Sequence, residues 1–571
     1  MGMGAADVVG RLAASVGQLD AVAPDFTPAL DVPNGGVLCA LPALLAMGLL
    51  DGVERYLSLP KGYYGLDSLL ILLAFMALAR LPTIESLRYC APGEWGNLLG
   101  LDRVPEVRTL RAKIQLLARD EQPAQWSAVL CERWMAAVPE QAGVLYIDGH
   151  VRVYHGHQTP LPRHYVARER LCLRATTDYW VNAMDGQPFF VVNQAVDPGL
   201  IQVIEQEIVP RLAHGVPGQP TPEQLDADRR RHRFTLVFDR EGDSPAFLGR
   251  MKEQRIACLS YHKFPGEDWS PEEFGPTAVR LANGERVTLQ LAERGTRLSN
   301  GLWVRELRKC GERGHQTAIL CTDYCRDAAP LAAAMFARWS QENFFKYARE
   351  HYGLDRLVDY RTEVISEPLQ VVNPAYRQLD GQVRALTGKL SRRLANFGAI
   401  NLEEPIEPAH VEPFMRRKAT LQEEIDVLQT ELATCKAERK ATPHHITIDE
   451  LPQEARFHQL STQSKHLIDT IKMIAYRAET AMANSVREHL SRPDEARRLR
   501  RALYTTDADL LPDHAAGTLT VRLHHAANAA NDLAIAALCE ELNATETVFP
   551  RTKLRLVLKL GSAEIPRNQV I

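Results

Sequence analysis

The sequence predicts an α/β protein: a mixed β-sheet with a β-rich insertion, flanked by an N-terminal helical domain and a C-terminal helical region. Two observations predict this arrangement. Between about 140 and 355, apolar runs of strand length alternate with helical patterns. Before and after that part, apolar residues recur at the three- and four-residue spacing of amphipathic helices. Hydrophobic residues make up 45% of the chain and charged residues 24%, as in folded soluble proteins, so the 571 residues are expected to form several compact domains.

Charge and cysteine content narrow the functional classes before any motif is considered. The 67 Lys and Arg residues nearly balance the 71 Asp and Glu residues, and the net charge of −4 gives no overall positive field for nucleic acid. Any such binding must therefore be local. The close pair Cys321 and Cys325 lacks a second Cys or His pair at zinc-site spacing. We therefore expect the 10 cysteines to be reduced thiols of a cytosolic protein.

Neither a membrane span nor a secretory signal is apparent in the sequence. The longest uncharged run in the apolar part of the N-terminal third covers residues 68–79, which is shorter than the roughly 20 residues that a span needs. The first residues lack a basic segment followed by an apolar core. We expect a cytoplasmic protein without a membrane partner.

The N-terminal part is predicted to be a leader followed by a helical domain. Residues 1–36 show no clear pattern, and residues 37–125 are helical in character with turn residues between short apolar runs. The last helix of this domain places Arg108 and Arg111 away from its apolar face. A helix-turn-helix with these arginines on DNA is one interpretation, and an ordinary solvated helix face is the other.

The centre of the chain, about 140–355, is predicted to have the element order βββαβαβ, followed by a β-rich insertion at about 263–315, one more strand and a helix at about 330–350. The expected strands are apolar runs bounded by turn residues: 143–148, 151–154, two arms of a hairpin around Asp185-Gly186, 235–239, 255–261 and 317–324.

Two acidic residues end predicted strands that would be neighbours in the sheet. Asp148 ends the first strand and Asp239 ends the fourth, and in the sheet order 3-2-1-4-5 these strands lie side by side. Glu342, in the late helix, supplies a third carboxylate. Carboxylates are hard oxygen ligands suited to Mg²⁺, and two such ions support in-line phosphoryl displacement. The alternative for any one of these acids is a helix cap or a solvated side chain.

The helix around Glu342 carries further charged residues on one face. Arg338, Glu342, Lys346 and Arg349 follow the spacing that aligns side chains along a helix, with aromatic residues around them. Such a stripe is either an ion-paired surface or a set of phosphate contacts, and the accompanying aromatics and strand-end acids favour the second interpretation.

These stretches resemble the DDE transposases of bacterial insertion sequences, in the cut-and-paste group whose RNase H-like catalytic domain contains a β-strand insertion. The resemblance covers about 60–350 and rests on YIDGH around Asp148, LVFDREG around Asp239 and RWSQENFFKYAR around Glu342. The last stretch is similar to the family signature Tyr-x2-Arg-x3-Glu-x6-Lys, with Met335 in place of the Tyr and Arg349 in place of the Lys.

The resemblance implies an enzyme of DNA transposition and recombination that acts as an endonuclease. Asp148, Asp239 and Glu342 would bind two Mg²⁺ ions, for which Mn²⁺ can substitute, and Arg338, Lys346 and Arg349 would hold DNA phosphates. It also implies binding to terminal inverted repeats, strand transfer into target DNA, and a nucleoid-associated protein that works as a homodimer in the synaptic complex.

Other parts of the chain receive weaker assignments. Trp303, in the insertion, stacks on a flipped base near the cleavage site in one interpretation and packs within a hairpin in the other. Heptad-like apolar spacing predicts a helical hairpin over 370–440, the candidate for dimer contacts, and the rest, 441–571, is predicted to be helical and mixed.

Two rival functions stay open at this point. One is an RNase H-like nuclease that uses the same metal site without strand transfer. The other is a catalytically inactive DNA-binding protein derived from a transposase, although the presence of all three acids argues against it.

Overall fold

The computed structural model describes residues 3–156, 161–166, 168–281, 284–336, 338–356, 358, 362–363, 370–400, 408–453, 456, 459–487, 489–490, 495–526 and 529–561. The chain divides into two compact units. The first comprises residues 1–156, 162–361 and 460–571, and the second comprises residues 157–161 and 362–459. None of the helices in the described segments combines the length and apolarity that crossing a membrane requires.

The architecture is mixed α/β. The helices are α1 (Val8–Ser15), α2 (Leu41–Ala46), α3 (Leu66–Leu78), α4 (Pro92–Asn97), α5 (Val107–Leu117), α6 (Gln122–Ala137), α7 (Pro139–Ala142), α8 (Leu200–Val203), α9 (Val209–Gly215), α10 (Pro222–Ala227), α11 (Pro245–Glu253), α12 (Ala328–Phe336), α13 (Trp339–Tyr352), α14 (Pro374–Ile400), α15 (Val411–Ala441), α16 (Gln463–Arg487), α17 (Ala496–Thr505) and α18 (Ala529–Asn543). The strands are β1 (Ala29–Val32), β2 (Val144–Val153), β3 (Arg163–Val166), β4 (Leu171–Asn182), β5 (Pro188–Asn193), β6 (Thr235–Phe238), β7 (Ala257–Tyr261), β8 (Gly275–Arg280), β9 (Arg286–Arg297), β10 (Trp303–Cys310), β11 (Gln316–Cys321), β12 (Thr362–Glu363), β13 (Gln370–Val372), β14 (His445–Thr447), β15 (Gln459–Leu460), β16 (Ala508–Asp513), β17 (Thr518–Leu523) and β18 (Arg555–Leu560).

A large mixed sheet forms the centre of the first unit. Its order is β3-β4-β2-β6-β7-β11-β10-β9-β8, and β5 also pairs with β4. The neighbours β2, β6 and β7 correspond to the expected order 1-4-5, whereas the expected first and second strands are both part of β2, and β4 and β5 follow on its other side. β2 runs antiparallel to β4 and parallel to β6, which is parallel to β7. Because parallel neighbours need a crossover, α11 connects β6 to β7.

Strand β2 differs from its prediction, because one continuous strand replaces the two runs 143–148 and 151–154. Asp148 therefore lies inside the strand and not at its end. The pairing with β4 continues past Gly149, which lies opposite Tyr179. A Cβ at Gly149 would lie 2.9 Å from the Thr177 side chain. The absence of a side chain at Gly149 allows the close approach of β4.

The β-rich insertion continues the same sheet. From β7 outwards, β11, β10, β9 and β8 pair antiparallel in that order. The turn between β9 and β10 contains Gly301 at φ +81°, a backbone conformation that favours glycine. The predicted insertion is therefore a set of hairpins that extends the large sheet on its β7 side.

Helix α16 lies in the core of the first unit. It packs against α2, α3, α5 and α6 on the N-terminal side of the chain and against β5 of the large sheet. Most of its residues are buried, including the charged side chains of Lys465, Asp469 and Glu479. Lys465 pairs with Asp469 one turn away, and Glu479 pairs with Arg80 of the loop after α3 at 2.6 Å. These pairings satisfy charges that burial would otherwise penalise.

The two ends of the described chain meet in a second sheet. Its order is β1-β16-β17-β18, with β17 and β18 parallel and connected by α18. β1 belongs to the segment 1–36 and pairs antiparallel with β16. The N-terminal segment therefore contributes a strand to a sheet built mainly from the C-terminal part.

The second unit is a helical hairpin. α14 and α15 lie antiparallel, as shown by the ion pairs of Asp380 with Arg439 at 2.8 Å and of Arg393 with Glu424 at 2.7 Å. The short strands β13 and β14 pair antiparallel at its base.

Candidate active site

Strand register places Asp148 beside Asp239. In the parallel pair of β2 and β6, Tyr146 is opposite Val237. Two residues further along each strand lead to Asp148 and Asp239, on the same face of the sheet because side chains alternate. Neighbouring strands are separated by about 4.8 Å, so the two carboxylates share one small region. The apolar runs before each acid, buried on both faces, enforce this register.

Arg338 joins the two carboxylates. Its Nη2 donates a hydrogen bond to Oδ2 of Asp148 at 2.9 Å and lies 3.8 Å from Oδ2 of Asp239. The side chain is 9% exposed, and its Nε is buried without a hydrogen-bond partner. Burial opposes the charge of the guanidinium, but Asp148, Asp239 and Glu342 hold the pKa of Arg338 above its ordinary value.

The position of Arg338 depends on a helix break that the sequence did not predict. One helix was expected at about 330–350, whereas the structure has α12 and α13, with Arg338 immediately before α13. Beyond the break, Gln341 is buried and donates to Oδ1 of Asn182 at 2.9 Å. This hydrogen bond holds the start of α13 against β4.

Asp148 has an environment that disfavours its negative charge. Burial raises the pKa of Asp148 above its ordinary value, and the charge of Asp239 adds to this rise. Arg338 and the backbone N–H of Gly149, which donates to Oδ1 at 2.9 Å, oppose it. The balance leaves a carboxylate that a further cation would stabilise.

Glu342 lies in the first turn of α13, one turn after Arg338, and is exposed. Its charge acts on Arg338 and on Tyr261 at the end of β7. Two groups of metal-ligand side chains in the described part of the chain bring their ligand atoms within 4.8 Å of one another, and neither includes Asp148, Asp239 or Glu342. The three acids therefore surround Arg338 without closing on a common point.

Two further acids extend this negative region. Burial raises the pKa of Glu241, and Asp148, Asp197 and Asp239 raise it further. Asp197 accepts hydrogen bonds from Thr177 Oγ1 and Tyr179 Oη, each at 2.6 Å. Glu241 stands in the LVFDREG stretch and could have been noticed there. Asp197 follows β5 in a loop, and no sequence pattern marks it.

The donor set fits Mg²⁺. All the groups are carboxylates, the hard oxygen ligands that this ion prefers. Burial is the main cause of the raised pKa values of Asp148 and Glu241, and neighbouring carboxylates add to both. Asp148, Asp239 and Glu342 could hold divalent ions if the Arg338 side chain withdraws from between them.

Lys346 and Arg349 lie further along α13. Lys346 lines a cleft of about 550 Å³ together with Arg487 of α16 and Arg497 of α17. Arg497 lies over the Tyr347 ring at 4.8 Å and donates to the Tyr476 hydroxyl at 3.2 Å. Arg349 is exposed and acts on the charge of Asp355. The cleft therefore brings three cations, together with Asp185 and Glu350, beside the helix that carries Glu342.

His150, one of two histidines near the first acid, helps to hold α13 against β2. Its ring stacks on Phe345 of α13 with centroids 5.2 Å apart, and its Nε2 bonds to Asp355. His155 is exposed. The ring stacking and the hydrogen bond to Asp355 favour a positioning role for His150.

Three other candidate residues lie elsewhere in the molecule. Trp303 begins β10 and lines a cleft of about 1610 Å³ with Tyr324, their rings 5.6 Å apart. This cleft adjoins the start of β6, whereas Asp239 follows the end of β6. Arg111 of α5 pairs with Glu85, and Arg108 is exposed on the same helix. The structure does not bring these three residues to the carboxylates.

Three comparisons with known proteins gave the following matches. No curated protein matches the chain. One matching solved structure is "Cryo-EM structure of piggyBac transposase synaptic complex with hairpin DNA (SNHP)", at 9% sequence identity and a TM-score of 0.28, covering 54% of this chain and 68% of that one. A family model described as "Transposase protein" matches residues 2–562, nearly the whole chain. The chain therefore belongs to the Transposase_29 family of transposase proteins.

Proposed function

We propose that this transposase cleaves DNA at the ends of its element and joins the freed 3′-hydroxyl to target DNA, with Asp148, Asp239 and Glu342 holding two Mg²⁺ ions. The observation that carries the proposal is the register of β2 and β6, which sets Asp148 beside Asp239, with Glu241 and Asp197 as further carboxylates of the same region. The resemblance to DDE transposases of bacterial insertion sequences assigns the same three residues.

The ions would activate the attacking oxygen and stabilise the leaving oxygen of the phosphodiester. The contribution of the chain is to hold the ligands on rigid elements. Asp148 and Asp239 are fixed by paired strands, and Glu342 by a helix whose start is anchored through Gln341. Mn²⁺ has similar ligand preferences and would substitute.

Arg338 is assigned two successive partners. In the structure it neutralises Asp148 and Asp239. If divalent cations neutralised the two carboxylates instead, the guanidinium would be available to a phosphate next to the scissile bond, where positive charge would stabilise the transition state. The unpartnered Nε of Arg338 leaves a donor free for this contact.

DNA binding is assigned to the basic cleft beside α13. Lys346, Arg487 and Arg497 each contribute a cation to its lining, and phosphate contacts of this kind supply affinity without sequence readout. We propose terminal inverted repeats and target DNA as its ligands. We further propose that two copies act together in the synaptic complex, with the hairpin of α14 and α15 as the contact between them.

The test is cleavage of a labelled duplex that carries the inverted repeats flanking the gene, with Mg²⁺ or Mn²⁺. Wild type, Glu342→Gln and the control Glu140→Gln are compared, since Glu140 is an exposed glutamate in the first turn of another helix, α7. We expect metal-dependent nicking at the repeat boundary that Glu342→Gln abolishes and Glu140→Gln retains.

The other outcomes each refute part of the proposal. Nicking without joining of the 3′-hydroxyl to a second DNA would identify a nuclease. Binding of the repeats without nicking in either metal would identify a DNA-binding derivative. Nicking that survives Glu342→Gln would remove this residue from the metal site.

A further inference from the structure

A second group of ligand-type side chains lies at the end of the large sheet opposite Asp239. His232 precedes β6, and Asp323 and Cys325 follow β11. The backbone explains the meeting: Thr322 bonds to Cys258 of β7, whose strand runs beside β6 in parallel. The end of β11 is thereby placed next to the start of β6, far from the three acids of the candidate active site.

The three side chains converge. The ligand atoms of His232, Asp323 and Cys325 all lie within 4.8 Å of one another, and His232 Nε2 is 3.5 Å from Asp323 Oδ2. Oδ1 of Asp323 accepts the backbone N–H groups of Cys325 at 2.8 Å and Arg326 at 3.0 Å. These bonds turn the loop so that the Cys325 side chain comes back toward the carboxylate.

One oxygen of this carboxylate is unsatisfied. The Asp323 side chain is 0% exposed, and its Oδ2 accepts no hydrogen bond. The ring nitrogen nearest this oxygen, Nε2 of His232, also lies 3.2 Å from Thr235 Oγ1. Buried polar atoms without partners are costly, so Oδ2 of Asp323 is short of a cation or donor. The Nε of Arg326 lies 3.5 Å from Oδ2, on a side chain that is 34% exposed.

The site also has an entry path. Cys325 and Arg326 line the cleft of about 1610 Å³, together with Arg229, Arg230 and Trp303. Cys325 is exposed to this cleft. An ion entering from the cleft meets the thiol first and the buried carboxylate behind it.

We propose that His232, Asp323 and Cys325 bind Zn²⁺, with a fourth coordination position open to the cleft. Nitrogen, oxygen and sulfur together favour Zn²⁺ over Mg²⁺, in contrast with the all-carboxylate candidate active site. On binding, the Cys325 thiol loses its proton to solvent as the sulfur–zinc bond forms. The ion ties the loop after β11 to the start of β6 and frees the Arg326 guanidinium to face the cleft.

The test uses the full chain, stripped with a chelator and titrated with Zn²⁺ or, for spectroscopy, with Co²⁺. Thiolate bound to Co²⁺ gives a sulfur-to-metal charge-transfer band that a carboxylate site cannot produce. We compare wild type, Cys325→Ser and the control Cys172→Ser, which alters another exposed free cysteine. His232→Gln, which keeps a hydrogen-bonding side chain, tests the imidazole.

We expect one Zn²⁺ per chain bound through this site and the charge-transfer band with Co²⁺ in wild type and Cys172→Ser. Cys325→Ser loses the band and weakens zinc binding at least about tenfold, as does His232→Gln. A band unchanged in Cys325→Ser, or folded wild type that shows no band with Co²⁺, overturns the proposal. Both readouts are independent of DNA cleavage.

Discussion

Lys472 of α16 is a buried amine whose protonation should govern stability near neutral pH. Its Nζ donates to the Gly353 carbonyl oxygen, at the end of α13, at 3.3 Å. Burial lowers the pKa of Lys472 to about 7 from 10.5. The charge of Lys465 contributes to this lowering, whereas Asp469 and Asp355 oppose it.

The sign and size of the effect follow from linkage. In the unfolded chain Lys472 keeps its proton up to about pH 10.5, but in the folded chain it loses the proton above about pH 7. Between these values the unfolded state binds more protons, so this residue makes stability rise with pH. A shift of 3.5 units at about 1.4 kcal/mol each corresponds to about 5 kcal/mol of destabilisation below pH 7, and to about 4 kcal/mol at pH 7.

Replacing Lys472 by Met removes the titration while keeping an unbranched side chain of similar length. We expect the free energy of unfolding at pH 7 to rise by about 3 kcal/mol, which is the relieved penalty less about 1 kcal/mol for the lost hydrogen bond to Gly353. The advantage of the variant should disappear as the pH approaches about 10.5.

The assay is urea unfolding across this pH range, followed by tryptophan fluorescence, with the variant measured against wild type. Lys61→Met serves as control, because the Lys61 side chain is 65% exposed and its replacement should change stability by less than about 0.5 kcal/mol. If Lys472→Met unfolds with the same pH dependence as wild type, the amine is not titrating inside the fold and the reasoning fails.

Three further predictions concern charges and packing near the candidate site. Asp148→Asn should raise the thermal midpoint while abolishing metal-dependent nicking. Because the pKa of Asp148 is raised, the contribution of this carboxyl group to stability is lost as pH rises through that pKa. A variant that melts below wild type at neutral pH contradicts this prediction. Gly186→Ala should destabilise the protein by about 1–3 kcal/mol and reduce nicking, because φ is +88° and the new Cβ would lie 2.6 Å from the Ser340 carbonyl oxygen at the start of α13. Nicking and a thermal midpoint equal to those of wild type would show that the backbone around Ser340 adjusts without cost. Asp469→Ala should lower the free energy of unfolding in urea by about 3–5 kcal/mol, because Lys465 stays buried without this partner. Replacing both residues with apolar ones should recover most of that loss. Equal losses in the two variants would contradict the pairing.

The arrangement of Asp148 and Asp239 could be predicted because it depends on local signals. Each acid follows an apolar run, and short apolar runs separated by a helical segment indicate parallel neighbours. The two separate strands expected at 143–148 and 151–154 were wrong, because β2 runs through both. The pairing with β4 continues past Gly149, where the absence of a side chain is needed, and the sequence of β2 alone does not show this partner.

The surroundings of α16 could not be predicted, since they depend on partners far away in sequence. Lys465 and Glu479 suggest an exposed helix face when only the helix is considered. Burial becomes possible because Arg80, more than three hundred residues earlier, reaches Glu479, and because Lys465 finds Asp469 within the helix. A charged pattern therefore indicates exposure only where no distant partner neutralises it.

Arg338 illustrates the same limit inside the candidate site. The spacing to Glu342 suggested that both side chains share a helix face. The structure places Arg338 before the helix begins, where its guanidinium reaches Asp148 while Glu342 stays exposed. In this position the positive charge of the guanidinium is already neutralised by the two carboxylates that Nη2 contacts. Binding of divalent cations at the proposed site and binding of DNA by Arg338 should therefore be coupled. A cation that neutralises Asp148 and Asp239 would make the arginine more available to the scissile phosphate. In turn, DNA that attracts the arginine would leave the two acids freer to bind metal.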